Sequence, residues 1–205
     1  MNNKRTNFLI PFLVAAVLVA ITGGALIYKR IKAPVYNGIA IDPPKAMSGF
    51  TLQSVNGPVS LESFRGKYVL LYFGYTSCPD VCPLTLATLT EALSKLDSKK
   101  ASDFQVIFVS VDYKRDTPEV SNAFVKKFNP SFIGLSGTED QINQVTKEYG
   151  IYYKFNPPDP TTGYYSVDHT AIVMVLNPNG GLVLTWPFGT QPDQETSDLD
   201  ILANR

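Results

Sequence analysis

The longest apolar stretch in the chain runs from Phe8 to Tyr28, 21 residues without a charged side chain. As a helix rising about 1.5 Å per residue it would reach roughly 31 Å, the thickness of a bilayer's hydrocarbon core. The pattern therefore predicts an N-terminal transmembrane helix over 8–28, preceded by a short segment, 1–7. A cleaved signal peptide competes with this reading through Thr22-Gly23-Gly24-Ala25, but its apolar region would ordinarily run only about 7–15 residues. Here apolar residues continue through Leu26, Ile27 and Tyr28. Residues 29–48 contain Pro34, Pro43 and Pro44 with little periodicity, the character of a tether. One folded domain is expected over 49–205.

Inside that domain the periodicity changes repeatedly. Phe50-Thr51-Leu52 and Val59-Ser60-Leu61 flank Asn56-Gly57, a hairpin signal. Tyr68 to Phe73 is a continuous apolar run, which suits a central strand covered on both faces. Leu84, Leu86, Ala87, Leu89, Ala92, Leu93 and Leu96 recur at helical spacing. Phe104 to Val111 reads as a second buried strand. Thr117-Pro118-Glu119 has the form of an N-cap with proline at the first helical position, opening a helix to about Phe128. Thr138 and Gln141 form a capping-box pattern for a helix ended by Gly150. Strands over Thr170 to Leu176 and Leu182 to Trp186 are joined by a turn-rich link, and Asp193 to Leu202 closes the chain as a short helix. Strand-helix-strand units followed by a hairpin imply an α/β fold, a mixed sheet flanked by helices. There is no internal repeat or low-complexity segment.

Charge sharpens this picture. The zero formal net charge hides a split: Lys4, Arg5, Lys29, Arg30 and Lys32 precede the first acid, Asp42, leaving 13 basic and 18 acidic residues, a net of −5, in the remainder. A mildly acidic body lacks the clustered basic face that nucleic-acid binding needs. Bases on both sides of the apolar span leave the charge rule undecided on orientation. A short N-terminal segment before a single span acts as an uncleaved signal, which places the N-terminus in the cytoplasm and the domain on the extracytoplasmic side. The lack of an Arg-rich, Ser-rich transit peptide before Phe8 favours a bacterial membrane over an organelle.

The chain has two cysteines and one histidine. Cys78 and Cys82 lie four apart, between the end of a predicted buried strand and the start of a predicted helix. Unpaired N–H groups at a helix N-terminus favour a thiolate, the form that attacks disulfides and binds soft metals. A structural disulfide here would close a very short loop and constrain little of the unfolded chain. A reversible redox pair fits the same proximity. His169 precedes a predicted strand whose leading loop can lie beside the end of the first core strand, so two thiols and one imidazole can converge. Such ligands suit copper, as Cu(I) or as Cu(II), whose charge two thiolates would neutralise. Structural zinc generally takes four ligands and would need a carboxylate or water here. A Cys–His hydrolase would leave the second cysteine without a role.

Three separated motifs occur in order: Phe73-Gly74-Tyr75-Thr76-Ser77-Cys78-Pro79-Asp80-Val81-Cys82-Pro83, then Val111-Asp112 with Arg115-Asp116-Thr117-Pro118, then Asp168-His169-Thr170. Together they closely resemble the Sco/SenC family over roughly Phe50 to Trp186. The resemblance implies a thioredoxin-like fold on an N-terminal membrane anchor, binding copper through Cys78, Cys82 and His169. It further implies support for assembly of the dinuclear copper centre of cytochrome c oxidase, either by copper delivery or by reduction of the receiving cysteines. In the second case Cys78 and Cys82 would be the redox pair of a thiol–disulfide oxidoreductase. The implied partners are the copper-bearing subunit of the oxidase, other copper chaperones or thiol–disulfide reductases, and the membrane itself. Tyr113-Lys114 departs from the Pro-Glu common in the family. Asp112 and Asp168 read either as loop and helix-cap residues or as electrostatic tuning of the site.

Overall fold

The computed structural model describes residues 14–20, 22 and 34–205. Residues 14–20 and 22 are helical; the rest of the expected span over 8–28 lies outside the described residues, as does segment 1–7. Among the described residues no helix is long and apolar enough to cross a membrane.

Tyr36–Arg205 is one compact unit. Its strands are β1 (Ile39–Ala46), β2 (Thr51–Ser54), β3 (Gly57–Ser60), β4 (Tyr68–Gly74), β5 (Phe104–Ser110), β6 (Ile133–Leu135), β7 (Tyr153–Phe155), β8 (Val167–His169), β9 (Ile172–Leu176) and β10 (Gly181–Pro187). Its helices are α1 (Val81–Ser94), α2 (Ser98–Ala101), α3 (Pro118–Lys126), α4 (Glu139–Tyr149) and α5 (Pro192–Ala203). Six strands form the main sheet in the order β1-β10-β9-β4-β5-β6. β4 is parallel to β5 and antiparallel to β9, so the sheet is mixed.

The apolar run of β4 fills the predicted central place. Leu70, Leu71, Tyr72 and Phe73 are fully buried, so both faces of the strand are covered. Thr117 caps α3 through its side chain with Pro118 at the first helical position, and Thr138 with Gln141 completes the capping box of α4, which Gly150 ends at φ 69°. Helix α1 buries Cys82, Leu86, Leu89, Ala92 and Leu93, but Leu84, one of the apolar positions in the pattern, is 50% exposed.

Two segments differ from the sequence reading. Within the proline-containing stretch 29–48, residues Ile39–Ala46 are β1, paired with β10 at the edge of the main sheet. Proline cannot donate to a ladder, yet Pro43 and Pro44 sit on an edge strand, where the register shifts between Ala40 and Lys45. His169 is also on a strand: β8 pairs with β7 in a separate two-stranded ribbon, and β9 starts at Ile172.

Candidate metal centre

β4 ends at Gly74, and α1, in the connection that leads on to β5, starts at Val81. Cys78 lies in the connecting loop and Cys82 in the first turn of the helix. The helix N-cap, Asp80, makes no side-chain cap; instead the Cys82 N–H donates to Cys78 Sγ at 3.4 Å. A helix N-terminus thus points one of its unpaired donors at a sulfur.

The loop is held from below by the second motif. Asp116 is 2% exposed and accepts from the Thr76 N–H at 2.8 Å, the Thr76 hydroxyl at 2.6 Å and the Ser110 hydroxyl at 2.5 Å. Asp112, fully buried, pairs with Arg115 Nε at 2.5 Å and accepts from the Tyr165 hydroxyl at 2.9 Å. The Arg115 guanidinium lies 3.6 Å from the Tyr165 ring centroid. Both carboxylates therefore organise loops. Asp168 accepts from Asn156 Nδ2 at 2.9 Å. Asp116 had no assigned role in the sequence reading, although its motif was visible; its partners Thr76 and Ser110 come from other elements.

β8 brings His169 to the same end of the sheet. Its Nδ1 is 3.2 Å from the Thr170 carbonyl, which can only accept, so Nδ1 carries the proton and Nε2 presents a lone pair. That lone pair lies 3.4 Å from Cys82 Sγ. The rings of Tyr72 and Tyr75 stand edge-on to the imidazole. The Tyr72 hydroxyl donates to Cys82 Sγ at 3.5 Å. Gly74 makes room for this sulfur: a Cβ there would lie 2.8 Å from Cys82 Sγ.

Both cysteines are free thiols, Cys78 half-buried and Cys82 buried. Their acidities are driven apart. A hydrogen bond from Cys82, joined by backbone N–H groups, pulls the Cys78 thiol well below its usual range against the effect of burial. Donation to Cys78, together with burial, pushes the Cys82 thiol up. The pairing favours ionisation at the outer sulfur and the protonated form at the inner one.

The three residues predicted from sequence are brought together. Cys78, Cys82 and His169 each offer one ligand atom, and these atoms lie within 4.8 Å of one another. Among the described residues no carboxylate joins them. Two soft sulfurs and one imidazole fit copper, whereas a four-coordinate structural zinc site would lack its fourth protein ligand. The site opens to solvent through a cleft of about 340 Å³ bordered by Tyr75, Pro79, Asp168 and Ala171.

Known proteins share this arrangement of chain. The SCO1/SenC family model matches residues 40–204. Mitochondrial protein SCO2 of Saccharomyces cerevisiae is 37% identical over 149 residues, covering 72% of this chain and 48% of that protein. The chain thus spans about half the length of this curated relative. The structure of Bradyrhizobium japonicum ScoI with copper bound is 35% identical, with a TM-score of 0.69, covering 77% of this chain and 99% of that one. The structure that identified a disulfide switch in BsSco, a member of the Sco family of cytochrome c oxidase assembly proteins, is 25% identical with a TM-score of 0.62, covering 81% and 98%.

Proposed function

The chain belongs to the SCO1/SenC family, with its mixed thioredoxin-like sheet, and on that premise we propose that it binds copper through Cys78, Cys82 and His169 and delivers it during assembly of the dinuclear copper centre of cytochrome c oxidase. The observation that carries this reading is the convergence of the two sulfurs and the imidazole nitrogen within 4.8 Å. Copper is the cargo, and its partner is the copper-bearing subunit of the oxidase. Phe8 to Tyr28 anchors the chain, with the N-terminus in the cytoplasm and the domain on the extracytoplasmic side; the length of the uncharged run supports this.

Each residue has a separate task. Cys78, half-buried and the more acidic of the two, is the ligand that a partner's thiol can reach first. Cys82 holds the inner position under Tyr72. His169, with Nδ1 tied to the Thr170 carbonyl, turns Nε2 toward the sulfurs for coordination.

A second reading is favoured by the same pair of sulfurs. In a thiol–disulfide oxidoreductase the Cys78 thiolate attacks one sulfur of a partner disulfide, releasing the other as a thiolate. Cys82, once deprotonated, then attacks Cys78 Sγ, which frees the partner's second thiolate and leaves a Cys78–Cys82 disulfide. The partner gains two electrons and this chain loses two. A half-buried attacking sulfur beside a fully buried one suits that order of events.

The test is titration of the full, reduced chain in mild detergent with Cu(I) and Cu(II), repeated with His169→Ala and with Cys82→Ser. One copper per chain, with sulfur-to-copper charge-transfer absorption in the Cu(II) form, is expected, and both substitutions weaken it. If copper binds no better than to a chain lacking both cysteines while a disulfide substrate is reduced efficiently, the carrier reading falls.

A further inference from the structure

Behind the metal centre, α1, strands β9 and β10 and the loop into α5 enclose a separate cavity of about 230 Å³. Its rim carries two apolar side chains, Leu84 and Phe188, 50% and 47% exposed, beside the neutral polar Thr88, Thr190 and Gln191, and Trp186 lines the interior. Glu195, at the start of α5, also lines it and is only 3% exposed. Its Oε2 has no hydrogen-bond partner among the described residues. No lysine, arginine or histidine borders the cavity, and the lining residues of α1, β9 and β10 carry no titratable group. Burial, joined by the charge of Asp198 on the same helix, pushes the Glu195 carboxyl up to about 8.

We propose that this cavity receives a lysine side chain of a partner protein, its methylenes against Leu84, Trp186 and Phe188 and its ammonium on Glu195. The cavity joins the apolar side chains of Leu84, Trp186 and Phe188 to one fully buried carboxyl oxygen without a partner, which suits an alkyl stem ending in a point charge better than the two-pronged guanidinium of arginine. The chain beyond residue 32 carries 13 basic and 18 acidic residues, so a basic partner surface is complementary. When the ammonium enters, the Glu195 carboxyl gives its proton to solvent and an ion pair remains; no other bond changes.

Position connects the cavity to the metal centre. Ala171 borders both the cavity and the cleft beside Cys78 and His169, and α1 carries Cys82 one turn ahead of Thr85. A partner anchored by lysine here would lay its neighbouring surface over the sulfurs. That placement rests on the cleft being where a partner engages, whereas the chemistry of the cavity is testable without a partner.

The probe is n-butylammonium, the lysine side chain without its backbone, titrated into the full, reduced, copper-free chain in mild detergent. Trp186 is the only tryptophan, so its emission reports the cavity directly. A saturable change is expected that is at least tenfold weaker in Glu195→Gln and absent with sodium chloride at equal ionic strength. Thr88→Phe, which fills the cavity while leaving Glu195 in place, should block it too. Binding should release a proton, and below about pH 8 it should tighten by up to about tenfold for each unit that the pH rises. An equal response to n-butanol, an unchanged response in Glu195→Gln, or no saturable response overturns the proposal. Copper titration of the same preparations separates the two readings: copper binding without amine binding removes the cavity proposal alone, and amine binding without copper removes the carrier reading alone.

Discussion

Asp116 and Glu195 are almost equally buried, and their surroundings are opposite. Asp116 accepts three hydrogen bonds from Thr76 and Ser110. Oε2 of Glu195 accepts none among the described residues. Burial alone therefore does not separate structural carboxylates from those poised for a ligand; the donor inventory does. Asp198, fully buried one turn after Glu195, belongs with Asp116: it takes the N–H groups of Asn37 and Gly38 and the Trp186 indole N–H.

The largest expected effect comes from the unanswered group. Glu195 titrates near 4.5 when unfolded and near 8 in the folded chain. Below about pH 4.5 both states hold the proton, and this group costs nothing. Above it the unfolded state releases a proton that the folded state keeps, so stability falls by about 1.4 kcal/mol per pH unit until about pH 8. The total is roughly 4 to 5 kcal/mol. Chemical denaturation at several pH values should show this slope in the native chain and not in Glu195→Gln. Parallel curves for the two chains would erase the contrast with Asp116.

Next is the answered carboxylate. Asp116→Ala strands the buried Ser110 hydroxyl and leaves the part-buried Thr76 N–H and hydroxyl without their acceptor, at a cost of about 3 kcal/mol. For a chain of this size that lowers Tm by about 6–12 °C. Because Thr76 precedes Cys78 by two residues, copper affinity should fall as well, read by competition with a chelator. Loss of stability with unchanged affinity would separate Asp116 from the centre.

Gly74 carries a smaller effect on the same loop. The Cβ of Gly74→Ala would press on Cys82 Sγ at 2.8 Å and on the Phe108 ring at 3.0 Å. Overpacking of this kind costs about 1–3 kcal/mol. The inner sulfur must shift, so charge-transfer absorption of the Cu(II) form should move or weaken. Wild-type absorption in a destabilised Gly74→Ala chain would show that the sulfur has room.

How much of this was legible in the sequence depended on whether the cause was local. The β4 run, the Thr117-Pro118 cap and the Thr138–Gln141 box each state their structure within a few residues, and each stands where the pattern put it. β1 was hidden because its prolines look like a tether unless the edge of the sheet is known. β6, β7 and β8 are three residues each, too short for any period to register. The sulfurs were legible from their spacing. The roles of Asp116 and Glu195 were not, since each is defined by groups that only the fold brings near or leaves away.

The smallest expected effect on stability is at His169, and it separates structural support from ligand chemistry most cleanly. His169 sits on a two-stranded ribbon beside the main sheet; its backbone pairs with Tyr153, and its ring makes one bond to a backbone carbonyl. His169→Ala keeps the backbone pairing and removes a half-buried ring, so stability should change by less than about 1 kcal/mol. Copper affinity should nevertheless drop at least tenfold, because the nitrogen donor is gone while both sulfurs stay in place. Reduction of a model disulfide by Cys78 and Cys82 should persist in the same chain, since that exchange uses only sulfur. A fall in stability matching that of Asp116→Ala would instead make the imidazole a structural residue, and the centre would then rest on its two sulfurs.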